Sequence, residues 1–523
     1  MLKLAPDTLD WALKHIETFG DTDIFPVPFE YQAIRHCWDS DIKPYILSQD
    51  ITNWQARPYR RCLTPKHRFG FRIATQFDPL DTIIFTALVA EIGNDLESTR
   101  LPASANVAFS YRFAPLATGE MYKSSIGFSE FREQSIALLK NTTSGYIVMA
   151  DIADFYPRIY SHPLENALDE CSSQKEHINA IKRFLNKWNF TTSYGIPVGS
   201  SATRLLAELV LDDIDRGLIS EGVIHCRFVD DFRIFCSTER EAHQQLALLA
   251  HLLYENLSLT LQQHKTQIIS ATAFEKDFVD SQEKKEITRL TTNFKEILAK
   301  AGIANTYDDI DIKTLDTKTK KQLAGLNLID LLKEQIKDCN NLDIPVVRFA
   351  LRRLGQFDDM KGLNLVLSHI DKLYPVFVEV VQYCQNLRSL NPENKHKVGK
   401  ILLGLLDSSL VGHLEFHRLW VLETFTKSIE WDNEEAFAAL FNKYTDDFSR
   451  REIILALGRS KNISWFKSRK RDIQSFGPWL KRAFLAAASC LPGDEFTHWI
   501  KSISISLDPL EKAIGKWVKD NPY

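Results

Sequence analysis

Two adjacent aspartates, Asp230 and Asp231, stand inside the apolar stretch "RFVDDFRIF" (Arg227 to Phe235). Adjacent carboxylates repel, and a run of core residues is a poor place for them unless a cation offsets their charge. A third carboxylate, Asp151, closes another apolar run, "GYIVMAD". Carboxylates at strand ends can converge on divalent cations. Two such cations can activate an attacking 3′ oxygen and stabilise a leaving pyrophosphate. That chemistry is phosphoryl transfer, done by positioning and charge. An isolated Asp-Asp pair is most often a solvated turn, whereas two strand-end acidic sites in one chain make a set.

The elements that would hold these acids are legible in the hydrophobic period. Ile224, Cys226 and Phe228 alternate on one side of the pair, and Phe232, Ile234 and Cys236 alternate on the other. The period restarts across Val229–Asp231, which predicts a β-hairpin with the aspartates at its tip. "GYIVMADIADFY" reads as a strand entering a turn, with Asp154 expected to cap the helix that follows. "SSATRLLAELVLDDIDRGLI" has helical spacing. Residues 51–77 hold Arg57, Arg60, Arg61, Lys66, Arg68 and Arg72 and no acid. With Trp54, Tyr59, Phe69 and Phe71 interleaved, this is expected to be a phosphate-binding surface; a plain solvated basic face is the alternative.

At 523 residues the chain is too long for one core, and its 44% hydrophobic and 25% charged residues are those of a globular protein. The net charge of −4 excludes a uniformly basic nucleic-acid binder, so any such role needs a local surface. The eight cysteines include no C-x-x-C pair and read as reduced thiols. The amphipathic N-terminus has no signal-peptide core, and a cytoplasmic location is expected. From about residue 326 nearly everything reads as helix. "VRFALRRLG", "RREIILALG" and "KRAFLAAAS" share an Arg followed seven residues later by Gly or Ser (Arg348–Gly355, Arg451–Gly458, Arg482–Ser489), the pattern of either a HEAT-like repeat or a plain bundle. The basic run Trp465 to Asp472 reads as a solvated charge run or a nucleic-acid contact.

In four motifs the chain resembles the reverse transcriptases. "FVDD" is similar to their Y/F-x-D-D hairpin, and "DIADFY" to their first catalytic motif. "YGIPVGSSATRLLAELVL" resembles the Gly-x-Pro-x-Gly-Ser segment between them, and "LTLQQHKTQI" the later motif with its lysine. The resemblance implies an α+β fold. A fingers–palm domain over 1–290 is followed by a helical connector over 291–325 and an all-α, HEAT-like domain over 326–523. It implies Mg²⁺ held by Asp151, Asp230 and Asp231. Lys265 is then the lysine that protonates the leaving pyrophosphate. Tyr156 is the aromatic under the incoming sugar, selecting deoxynucleotides. Arg72, with Lys66 second, is expected to hold the triphosphate. Gly195, Pro197 and Gly199 shape the loop under the nascent pair. Residue 198 is Val where retroviral and intron enzymes usually carry Gln.

"GDTDIFPVPFEY", "GFRIATQFDPLDTIIFTALV" and "FSYRF" also resemble the bacterial abortive-infection (AbiK-like) and defence-associated reverse transcriptases. That resemblance implies a phage-defence, homo-oligomeric DNA polymerase. It uses deoxynucleoside triphosphates without a template, and its product stays attached to a protein hydroxyl. Tyr31 and Tyr45 are N-terminal candidates, but nothing in the sequence singles out the priming residue among 15 tyrosines. The alternatives are cDNA synthesis on a partner noncoding RNA, a non-catalytic RNA-binding scaffold, and an RNA-synthesising polymerase.

Overall fold

The computed structural model describes residues 1–141, 144–189, 193–276, 316–324, 326–337, 342–407 and 410–523. Most of the connector expected over 291–325, and the boundary at 290, lie outside the described residues; Thr317–Ala324 is helical. The chain divides into two compact units. The first comprises Met1–Tyr31, Trp38–Arg61 and the described part of Ala74–Ser281. The second comprises Gln32–Cys37, Cys62–Ile73 and the described part of Gln282–Tyr523.

The first unit is built on an antiparallel sheet. Its strands β3 (Tyr146–Asp151), β4 (His225–Phe228), β5 (Asp231–Cys236) and β6 (Gln267–Ser270) lie in the order β4-β5-β3-β6. β3 and β5 are buried along nearly their whole length, which is why both read as apolar runs and not as half-polar alternation. One face carries Ile147, Met149, Cys226 and Phe235, packed with Phe131 of the Phe128–Asn141 helix. The Glu239–Leu257 helix packs on β3 and β5, and the Ser201–Ser220 helix packs on Glu239–Leu257. A further helix, Pro79–Glu91, is apolar all round and correspondingly buried, with Asp78 capping it by accepting from Leu80 N–H at 3.1 Å. The Pro6–Phe19 helix, amphipathic as its sequence requires, packs against it and stops at Gly20, whose φ of 83° favours glycine.

β1 (Arg60–His67) and β2 (Gly70–Gln76) form a separate hairpin whose tip carries exposed Phe69 and Phe71. The described residues of the second unit from Thr317 onward are helical. Leu328–Lys337, Ile344–Gln356, Phe377–Asn386, Glu415–Lys427, Asp447–Arg459, Pro478–Ala487 and Pro509–Asp520 form a row in which each packs on the next. Two small residues of the sequence repeat sit where one helix meets the next. A Cβ on Gly355 would lie 3.5 Å from Tyr383 Cα, and one on Gly458 would lie 2.6 Å from Ala487 Cβ. Three of the four cations of the basic run pair locally: Lys467 and Lys470 share Glu495 at 3.1 and 2.5 Å, and Arg469 reaches Asp472 at 3.2 Å. No described helix is long and apolar enough to cross a membrane.

Candidate active site

The acids converge because of strand register. In the β3–β5 pair Asp151 stands directly opposite Asp231. β4 and β5 are joined by the two-residue turn Val229–Asp230, so Asp230 is the tip residue and Asp231 begins β5. Past Asp151 the chain stays clamped: Ile152 N–H donates to Asp230 O at 3.1 Å, Gln262 N–H to Asp151 O at 2.7 Å, and Ala153 N–H to Thr260 O at 2.8 Å. The last two bonds bring Lys265 into place, and its Nζ lies 2.6 Å from Asp151 Oδ2. Partial burial alone would lower the Lys265 pKa. The bond to Asp151 and the charges of Asp151, Asp230 and Asp231 hold it above the ordinary lysine range. Lys265 is therefore a protonated donor at neutral pH, facing three carboxylates.

The donor set suits a hard divalent cation, being all carboxylate oxygen. A cationic ammonium already sits among the three acids, at hydrogen-bond distance from one of them. Among the described residues no three His, Cys, Asp or Glu side chains are closed around a metal-sized space; one oxygen of Asp151 is taken by Lys265.

Tyr156 and the glycine loop meet through the backbone. Ile196 N–H donates to Tyr156 O at 2.8 Å and Gly195 N–H to Ile159 O at 2.7 Å, so the strip from Tyr156 to Ile159 runs beside Gly195–Ile196. Gly195 and Gly199 have φ of 101° and 130°, backbone that side chains resist. A Cβ on Gly195 would press to 3.3 Å from Pro157 O. Pro197 is buried between them. Beside Gly199, a cavity of about 350 Å³ is lined by Tyr122, Ser201, Arg204 and the N-terminal Phe19, Asp21 and Thr22.

Three expectations are corrected. Asp154 occupies the N-cap position of Phe155–Arg158 but makes no side-chain cap; its backbone is left-handed, with φ 47°. The basic stretch over 51–77 is not one surface. Arg57 pairs with fully buried Asp78 at 3.1 Å, and Arg60 is buried, donating to Gln76 Oε1 at 2.6 Å. These guanidiniums serve buried acceptors, which composition alone could not distinguish from a solvated run. Lys66 and Arg72 are exposed on the β1–β2 hairpin, within Cys62–Ile73 of the second unit. Tyr31 is 4% exposed, and burial pushes its phenol well above the usual range, so it does not present a nucleophile to solvent. Tyr45 is half-buried against Trp54, with ring centroids 6.0 Å apart.

The support beneath the site was not anticipated. Arg227, quoted with the aspartates, points to the other face of the sheet and is fully buried. Its Nε lies 2.9 Å from both Asp215 oxygens, and its Nη1 donates to Glu208 Oε2 at 2.8 Å and Val229 O at 3.1 Å. Burial opposes the ionisation of this pair. Arg227 and His225 nonetheless hold the Asp215 carboxyl below its ordinary value, and Asp215 and Glu208 hold the Arg227 pKa above its own. The signal was available: a charged residue at a core position of an alternating strand demands buried partners, and "AELVLDDID" supplies them one helix upstream. Val229, a β-branched residue, has φ of 56°, and Tyr111 has φ of 48°. Strain of this kind costs about 1–3 kcal/mol per residue and clusters at functional sites.

Residues 104–294, a little over a third of the chain, match the reverse transcriptase (RNA-dependent DNA polymerase) family. The chain thus carries a reverse transcriptase domain and is a nucleotidyltransferase, which sets aside the non-catalytic scaffold. The fold over that region is of reverse-transcriptase type, mostly helical with some sheet. No curated protein matches the chain. Solved structures similar to it include telomerase from Candida albicans in complex with the TWJ fragment of telomeric RNA, at 13% identity over 73% of this chain and 69% of that one, TM-score 0.33. Another is apo telomerase from Candida tropicalis, at 9% identity over 75% and 74%, TM-score 0.32. At those scores the likeness carries no argument, and the assignment rests on the family match.

Proposed function

We propose that this chain polymerises deoxynucleoside triphosphates in defence of a bacterium against phage, starting from a hydroxyl of the protein and copying no template. The observation that carries the polymerase part is the register that sets Asp151 opposite Asp231, with Asp230 at the adjoining turn and Lys265 against Asp151. Asp151, Asp230 and Asp231 would hold Mg²⁺, which when bound supplies positive charge to the attacking and leaving oxygens. Lys265 donates a proton toward the departing pyrophosphate; a positioned acid of this kind contributes about 10²–10⁴-fold. Tyr156 closes the space a 2′-hydroxyl would need. The glycines of the 195–199 loop let the backbone approach the base pair. Arg72 and Lys66 hold the triphosphate, for which the planar fork of arginine is well shaped. In the first addition a tyrosine oxygen forms a bond to the α-phosphorus of the nucleotide. The bond from that phosphorus to the pyrophosphate oxygen breaks, and the phenolic proton leaves to solvent.

The helical row from Leu328 to Asp520 supports the reading of a HEAT-like repeat domain; its role in guiding the product, building a homo-oligomer or sensing infection rests on the same resemblance as the defence role. The defence role and protein priming rest on the resemblance of the N-terminal motifs to the abortive-infection enzymes. A second reading has one observation in its favour: the matched family is RNA-dependent, which suits cDNA synthesis on a noncoding RNA. The two separate when the protein is isolated from cells, treated with protease and with DNase in turn, and its nucleic acid sequenced. DNA of no fixed sequence that is released only by protease is expected. A co-purifying RNA of one sequence, with DNA complementary to it, would replace untemplated synthesis by copying.

A further inference from the structure

The two strained residues beside the site are both held by one buried carboxylate. Glu208 lies on the Ser201–Ser220 helix and is wholly inaccessible. Its Oε2 accepts from Arg227 Nη1 and Arg100 Nη2, each at 2.8 Å. Its Oε1 accepts from the Ser110 hydroxyl at 2.6 Å.

From Ser110 the network reaches the acid turn. Because the Ser110 hydroxyl gives its proton to Glu208, its oxygen is turned to accept the Val229 N–H at 2.9 Å, while Arg227 holds Val229 O. Both polar groups of the left-handed Val229 peptide are thereby fixed, and Asp230 is the next residue. From Arg100 the network reaches the other side. Arg100 donates to Ser110 O at 3.0 Å and Tyr111 O at 2.9 Å, fixing the left-handed Tyr111. The Tyr111 and Tyr156 phenols lie close enough to interact electrostatically, and the Tyr111 ring lies 5.5 Å from the Arg204 guanidinium carbon. Segment 107–109 is itself tied to β4: Arg227 N–H donates to Val107 O at 2.8 Å and Phe109 N–H to Arg227 O at 3.0 Å.

We propose that Glu208 is a positioning residue joining the two halves of the site: through Ser110 it sets the turn that aims Asp230 and Asp231, and through Arg100 and Tyr111 it sets the ring of Tyr156. This rests on the reading of those residues as the catalytic acids and the sugar selector. Glutamate is required because its two oxygens accept three donors between two guanidiniums. Glutamine has the same shape but offers one acceptor and two further protons.

The test compares deoxy- and ribonucleotide incorporation by purified full-length variants. Glu208→Gln is expected to lower kcat by about 10²-fold, the scale of misplaced reacting groups. It is also expected to lower the deoxy-over-ribo preference by roughly tenfold, because a displaced Tyr111 no longer confines the ring beside it. A smaller folded fraction slows both substrates equally and leaves that preference unmoved. Ser110→Ala should lower kcat with the preference kept, and Tyr111→Phe should lower the preference with kcat nearly kept. If Glu208→Gln does not fold, these two decide. Wild-type behaviour in both of them, or a folded Glu208→Gln that loses rate with preference intact, overturns the proposal. Tyr156→Ala and Asp230→Asn are run beside them. If those two leave preference and rate unchanged, the reading of the site fails and not the coupling alone.

Discussion

At the scale of residues, what could be read early was the chemistry itself, because acids in apolar strands conflict with their surroundings and the conflict names a cation. Asp151, Asp230 and Asp231 were picked out as a set that way, and the structure places them together. Glu208, Ser110 and Arg100 were not, since each is unremarkable in its own segment and acquires a role only when three distant stretches meet. Burial also changes the titration of Asp21, which lines the cavity beside Gly199. Desolvation raises its pKa from 3.8 to about 7 against the hydrogen bonds from Gln76 and Thr22. A carboxyl whose folded value is raised binds its proton more tightly when folded. Its favourable contribution is complete below pH 3.8 and is lost as pH rises through about 7. Asp21→Asn has no such titration. The Tm of the wild type should fall relative to that of Asp21→Asn between pH 4 and 8, by roughly 5 °C or more. A Tm difference independent of pH would show that Asp21 stays charged.

At the scale of elements, the β4–β5 hairpin was legible from the restart of its period, and the Ser201–Ser220 helix from its spacing. The basic stretch over 51–77 was misread, because charge counting cannot tell a guanidinium on a surface from one bonded to a buried carboxylate such as Asp78. The sequence pattern after residue 326 pairs an Arg with a Gly or Ser seven residues on, across apolar residues at helical spacing, and the structure gives Gly458 a physical reason. Gly458 faces Ala487 Cα at a distance that leaves no room for a methyl group, with Ala487 Cα 2.8 Å and its carbonyl oxygen 3.0 Å from where a Cβ would sit. Backbone cannot swing aside as a side chain can. Gly458→Ala should therefore destabilise the protein by about 1–3 kcal/mol through overpacking, despite the better helix propensity of alanine. Denaturant unfolding measures this, and an unchanged or raised midpoint would mean that the two helices separate easily.

At the scale of the whole molecule, mixed α and β structure comes first along the described chain and helices after. The pieces Gln32–Cys37 and Cys62–Ile73 group with the later residues in a way no composition shift announces. Contacts between segments distant in sequence decide that grouping, and a linear reading has no access to them. The account's central claim is that this fold exists to hold three carboxylates where nucleotides are joined. It is tested most directly by measuring deoxynucleotide incorporation by the purified full-length chain in Mg²⁺, with and without the paired change Asp230→Asn and Asp231→Asn. Asparagine keeps the size of each side chain and removes the charge. The account predicts a protein that melts as the wild type does and incorporates nucleotides on the order of 10³-fold more slowly or not at all, the scale on which charge-stabilising groups act. Incorporation by the paired variant at the wild-type rate would contradict it.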